Sequence, residues 1–117
     1  MKPFPIKETI LFEDFEKIDI RVGTIISVSD VVNSNKLMKL TVDFGDHTRS
    51  ILAGIKQERK APREIEGKQA LFVLNLPEKK MAGEVSQGML FDIGYADKIT
   101  PCLAVPEIPV PNGSRAG

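Results

Sequence analysis

The sequence contains one cysteine, one histidine, one tyrosine and no tryptophan in 117 residues. A single thiol, Cys102, excludes an internal disulfide and a cysteine-based zinc cluster. Cys102 follows Pro101 and precedes an apolar stretch, with no neighbour to lower its pKa, so it is expected to be a buried, unreactive thiol. Any Ser-His-Asp triad or histidine metal site would have to use His47, which adjoins a predicted Gly45-Asp46 turn and is expected to be exposed and inert. No glycine-rich phosphate loop follows a strand pattern, and no HExxH or paired-cysteine spacing occurs. The carboxylates are scattered singly. These absences argue against an enzyme and against any cofactor. No window approaches ~20 apolar residues, so no membrane insertion is expected. The first residues lack the apolar run of a signal peptide, and the cytoplasm is the expected location.

Charge of one sign is also lacking. Sixteen basic and sixteen acidic residues cancel, so a strongly basic nucleic-acid binder is excluded on bulk charge. The distribution is uneven, however. Residues 36–80 carry a net charge of +4, and the flanks, 1–35 and 81–117, carry −2 each. A neutral total can therefore hide a local phosphate-binding face.

Period-two alternation of β-branched residues predicts a first strand from Ile18 to Val28. Ile20, Val22, Thr24, Ile26 and Val28 would share one face, and Gly23 suggests a bend or bulge. Leu37–Phe44 and Thr48–Ile55 read as a hairpin around Gly45-Asp46. Ala61–Gly67 reads as a short helix, with Pro62 near its start and Gly67 at its end. Ala70–Leu76 is a buried strand, and Ser86–Tyr95 a fifth strand with glycines at possible bulges. Leu103–Val105 is a further short strand, and Glu13–Lys17 a short helix. The expected fold is all-β. It is a five-stranded barrel of the oligonucleotide/oligosaccharide-binding (OB) type, with a short helix between strands three and four and N- and C-terminal extensions. The 117 residues form a single domain. Apolar residues at both ends exceed what one small barrel needs, so residues 1–17 and 106–117 are expected to mediate homodimerisation.

Three stretches carry binding chemistry. Asn33-Ser34-Asn35-Lys36-Leu37 lies at the mouth of strand two, where amides can read base edges and a lysine can pair with phosphate. Lys79-Lys80-Met81-Ala82-Gly83 sets two ammonium groups beside a glycine in a predicted loop. Ser86-Gln87-Gly88-Met89 offers a hydroxyl, an amide and a thioether in a bulged strand. A groove bordered by Met38, Met81 and Met89 could instead hold apolar polypeptide.

These segments occur in register with Asp19-Ile20-Arg21-Val22-Gly23-Thr24-Ile25 and with Asn75-Leu76. The set resembles the tRNA-binding domain family. That family includes the C-terminal domain of bacterial methionyl-tRNA synthetase, stand-alone tRNA-binding proteins and the secretion chaperone CsaA. The resemblance covers about residues 12–117, and Gly54-Ile55-Lys56-Gln57 and Pro109-Val110-Pro111-Asn112-Gly113 look like CsaA in particular. A synthetase catalytic domain does not fit in 117 residues, so a free-standing member is expected.

The resemblance implies non-catalytic, structure-dependent tRNA binding by a homodimer. Its alternatives are a chaperone that binds unfolded export precursors and an accessory subunit that delivers tRNA to a synthetase. Asn33, Lys36, Lys80, Ser86 and Met89 match positions that look like the family's binding face. With Asn35, Lys39, Lys56, Lys79 and Gln87 they form the predicted RNA-binding set. Asn35 stands where relatives commonly carry aspartate. Lysines at 36, 39, 56, 79 and 80 would track the backbone. Neutralising ~4 phosphates per protomer gives a single-strand salt slope of roughly −3 per face. With no tryptophan and only Tyr95, recognition of folded RNA is expected over base stacking.

Overall fold

A computed structural model describes residues 3–117. Met1 and Lys2, the first residues of the predicted N-terminal extension, lie outside the described residues. The chain is all-β with little helix. It contains α1 (Phe12–Phe15), β1 (Ile20–Asp30), β2 (Met38–Asp43), β3 (Thr48–Ala53) and a one-turn 3-10 helix (Pro62–Ile65). There follow β4 (Gln69–Val73), β5 (Lys79–Met81), β6 (Glu84–Ser86), β7 (Met89–Leu90), β8 (Asp92–Ile93), β9 (Cys102–Leu103) and β10 (Arg115–Ala116). Among the described residues no helix is long and apolar enough to cross a membrane.

The main sheet is a curled antiparallel one, ordered β3-β2-β1-β4-β7. β1 makes it curl. Its first half, Ile20–Thr24, pairs with β4, and its second half, Thr24–Asp30, pairs with β2 on the opposite edge. Gly23 lies in the first half, within the β4 ladder. A Cβ there would lie 2.5 Å from Val42 Cγ1 and 2.7 Å from Phe44 Cε1, so only glycine lets β1 approach the core this closely. Beyond Thr24 the β4 ladder stops, and backbone from the helix exit takes its place. The Ile25 amide donates to Lys68 O and the Gly67 amide to Ile25 O. The Val28 amide donates to the Glu66 carboxylate at 2.8 Å, a bond that holds that carboxyl below its ordinary value.

The register shifts between Ile25 and Ser27. This bulge corrects the expected alternation: Ile25 and Val28 are buried, whereas Ile26 is half exposed. In β2 the period-two pattern holds, and Met38, Leu40 and Val42 point inward with Ile51, Ile65 and Phe72. Phe44 packs edge-on against Phe72, with ring centroids 5.5 Å apart.

Three expectations need correction. The stretch from Ser86 to Tyr95 is not one strand. It is broken into the end of β6, β7 and β8: Gly88 (φ 147) separates β6 from β7, β7 and β8 pair with different strands, and Gly94 (φ 102) ends β8. Lys79–Met81 is not a loop but a strand, paired with β6 across a two-residue turn formed by Ala82 (φ 51) and Gly83 (φ 82). Cys102 is exposed rather than buried: it pairs with Ile93, itself half exposed, while the next residue, Leu103, packs against the core.

The C-terminal stretch is tied down more than its prolines suggest. β10 pairs with Ile20 and Arg21, and the Gly113 amide and Ser114 carbonyl bond the backbone of Val22. Asn112 Oδ1 accepts from Thr24 Oγ1 at 2.8 Å and from Gln69 Nε2 at 2.9 Å. Residues 3–11 form no helix or strand and are exposed.

Candidate nucleic-acid interface

The loop before β2 is held by its own hydrogen bonds and by Lys56. Ser34 Oγ accepts the amides of Lys36 and Leu37 at 3.2 and 3.0 Å, a local turn that starts the strand. Lys56 stakes the loop from the other side. Its amide donates to Lys36 O at 3.0 Å. Its ammonium donates to Val31 O at 3.2 Å and Ser34 O at 2.6 Å, and it ion-pairs with Asp30. Three donors have three partners, so this lysine is committed to the fold. The side chains of Asn33, Asn35 and Lys36 are left facing solvent.

The β5–β6 hairpin sits beside β3. Its register sets Lys79 opposite Ser86 and Lys80 opposite Val85. Successive strand residues point to opposite faces, so the two lysines do not form one clamp. Lys39 Nζ meets Glu84 Oε1 at 3.2 Å, and this pair ties the hairpin back to β2. Among the described residues no ion pair involves Lys36, Lys79 or Lys80.

The Ser86–Met89 segment closes a seam. β3 pairs with β2 on one edge, and on its other edge side chains replace a strand ladder. Ser86 is buried, its hydroxyl accepting the Leu52 amide at 3.0 Å and donating to Gly88 O at 2.9 Å. Gln87 Oε1 accepts the Ser50 amide at 2.9 Å, and the Gln87 amide donates to Ser50 O at 2.8 Å. Gly88 passes so close to Val73 O that a Cβ would sit 2.9 Å from it. Met89 is half exposed. It borders a cleft of about 250 Å³ with Leu52, Ile55, Glu58, Asp92 and Tyr95. Burial pushes the carboxyls of both Glu58 and Asp92 above their ordinary values, and the Asp92 charge adds to the shift of Glu58.

The ten predicted residues therefore divide. Asn33, Asn35, Lys36, Lys79, Lys80 and Met89 are exposed. Lys39 and Lys56 are half-buried and ion-paired, and the Ser86 hydroxyl and the Gln87 side-chain oxygen are spent on the seam, while Gln87 Nε2 reaches Glu78 Oε2 at 3.5 Å. Sequence reasoning missed Arg49, whose guanidinium bonds both Leu74 O and Gln87 O and so joins three segments. Its only trace in the sequence is a cation inside an apolar strand pattern. Met38, offered as the border of an apolar groove, is buried in the core. Among the described residues no group of three or more His, Cys, Asp or Glu side chains could hold a metal ion.

Residues 20–115 match the family model for the tRNA binding domain. The chain belongs to the tRNA-binding domain family. It is 43% identical over 116 residues to a methionine–tRNA ligase of Parabacteroides distasonis, covering 97% of this chain and 16% of that protein. The chain thus spans about a sixth of the length of that relative. Among solved structures it resembles a MetRS-related protein from Pyrococcus horikoshii, with a TM-score of 0.85 and 35% identity over 95% of this chain and all of that one. It also resembles the CsaA chaperone protein from Picrophilus torridus, with a TM-score of 0.79 and 30% identity over 93% of this chain and all of that one. Family and neighbours point to a binding module.

Proposed function

We propose that this chain binds tRNA by its folded shape, without catalysis, in the cytoplasm, and that it works as a homodimer of five-stranded OB-type barrels. Membership of the tRNA-binding domain family over residues 20–115 is the observation that carries this reading. The exposed amides, and the ammonium groups of Lys36, Lys79 and Lys80, which take part in no ion pair among the described residues, fit it chemically. Phosphate pairing falls to Lys36, Lys79 and Lys80. Asn33, Asn35 and Met89 meet exposed base or ribose groups, and Lys39, Lys56, Ser86 and Gln87 hold these in place.

Three cations in place of the expected four reduce the salt slope to roughly −2 per protomer. The dimer interface falls at the two ends of the chain. Ile6, Phe12 and Ile108 are well exposed there, and a cleft of about 730 Å³ is lined by Phe12, Phe15, Ile18, Arg115 and Ala116. A ligand that spans both barrels gains affinity through effective concentration.

The likeness to CsaA chaperones favours a second reading, capture of unfolded export precursors on exposed apolar surface. A third role, delivery of tRNA to a synthetase, uses the same face as the first. Filter binding of tRNA at two salt concentrations separates RNA from polypeptide binding. The RNA reading expects affinity to fall steeply as salt rises. Binding of apolar polypeptide that ignores salt, with no retention of tRNA, would favour the chaperone.

A further inference from the structure

Asp46, His47 and Arg49 form a hydrogen-bonded chain at the β2–β3 turn. His47 Nδ1 lies 2.6 Å from Asp46 Oδ1, and Arg49 Nε lies 2.9 Å from His47 Nε2. A guanidinium has donors and no acceptor. His47 Nε2 must therefore offer its lone pair, and the one ring proton sits on Nδ1 and is donated to Asp46. This makes the imidazole neutral in the structure. The ring is held against Phe44, with centroids 5.6 Å apart and planes 28° apart, and the His47 carbonyl accepts the Phe44 amide at 2.9 Å.

At the other end of Arg49, Nη1 donates to Leu74 O at 2.9 Å and to Gln87 O at 3.0 Å. Those carbonyls belong to the exit of β4 and to the link between β6 and β7, which no ladder joins at these residues. The sequence reading of His47 as inert is therefore incomplete, because its ring supports Arg49, a side chain that bridges both segments to β3.

We propose that Arg49 is a positioning residue that latches the Ser86–Met89 segment to β3, and that neutral His47 supports the latch, so that protonating His47 loosens the segment. A second ring proton would point at Arg49 Nε. Donor would then face donor, with two cations 2.9 Å apart. Asp46 offsets the new charge but not this collision, since it lies on the Nδ1 side. Arg21 acts on Asp46 and Asp19 on Arg49, but Arg21 and Asp19 bond each other at 2.8 and 3.1 Å, and Asp43 Oδ1 in the same turn accepts the Gly45 amide at 2.7 Å. Arg49 must then withdraw, and Nη1 leaves its carbonyls.

The Gln87 and Ser50 amides bond across the seam and report the latch directly. Their hydrogen-exchange protection, corrected for the intrinsic pH dependence of exchange, can be read on the full chain. Protection is expected to fall about tenfold from pH 8 to pH 5, the scale of a lost charge-assisted hydrogen bond. The Leu40 amide, in the middle of β2, should hold. His47→Gln keeps an acceptor that does not titrate, and its profile should be flat. Arg49→Lys cannot reach both carbonyls and the ring, and should show low protection at both pH values with no step.

A flat wild-type profile, or a step that persists in His47→Gln, overturns the proposal. The inference rests on the RNA reading only in making Ser86–Met89 part of a binding face. Exchange is read with no RNA present, so a protein that binds no tRNA can pass this test and a tRNA binder can fail it.

Discussion

The β1–β4 sheet and the seam between β3 and the Ser86–Met89 segment close the same molecule by different means. The sheet is held by backbone ladders over an interior of Ile25, Leu40, Ile51 and Phe72, all fully buried. The seam is held by a serine hydroxyl, a glutamine amide and a guanidinium, each standing in for a missing strand partner. Apolar burial is non-directional and spread over many contacts. A side-chain hydrogen bond is a single directional contact whose loss strands a buried donor or acceptor. The sheet should therefore tolerate change by degree, and the seam should fail at particular atoms. Of the residues proposed to meet RNA, Met89 lies in the second kind of closure, where a modest structural change would move it.

The largest expected effect lies in the sheet. Phe72→Ala removes a fully buried ring that packs on Phe44. It should cost about 3–5 kcal/mol in denaturant unfolding. A loss below about 1 kcal/mol would break the contrast from this side.

Ser86→Ala comes next. It leaves the Leu52 amide and the Gly88 carbonyl without their partner, and should cost about 1–3 kcal/mol although it deletes one oxygen. If the same midpoint shift followed from Val85→Ala, one residue earlier and half exposed, the seam would have no special atoms.

The smallest effect has the opposite sign. Burial raises the Asp92 carboxyl above its ordinary value of 3.8. The native state then binds this proton more tightly than the unfolded state does. Stability contributed by the group is lost as pH rises through the raised value, leaving a penalty at neutral pH. Asp92→Asn should therefore raise the melting temperature slightly at pH 7, and the gain should vanish below about pH 4. A gain that is independent of pH would mean that packing, not charge, is responsible.

The same contrast explains what could be read without coordinates. β2 alternates cleanly, and its inward residues Met38, Leu40 and Val42 were legible because burial imposes a period of two on the residue types. Gly23 was legible as a special position, since glycine inside a strand pattern suggests a bend or bulge; what it provides is a close approach to Val42 and Phe44. The bulge that turns Ile26 outward was not, because a single extra residue leaves no mark on composition. The seam was misread as a strand. Gly88 was seen as a bulge, but nothing in the sequence says that the Ser86 and Gln87 side chains turn back to the backbone of β3.

For the candidate site, the family resemblance put Asn33, Lys36, Lys80, Ser86 and Met89 on one binding face; all but Ser86 are exposed, and Ser86 is buried in the seam. The commitment of Lys56 to the carbonyls of Val31 and Ser34 depends on loop closure between residues over twenty positions apart. A sequence shows which cations exist, and only the fold shows which are already used.

That distinction is tested most directly by the salt dependence of tRNA affinity. The wild-type slope of log affinity against log salt should be roughly −2 per protomer. In a Lys36→Ala, Lys79→Ala, Lys80→Ala variant that stays folded, the slope should collapse toward zero while Lys39 and Lys56 remain. An unchanged slope in that variant would contradict the account, because the phosphate contacts would then lie on cations that the structure shows to be occupied, or on another face.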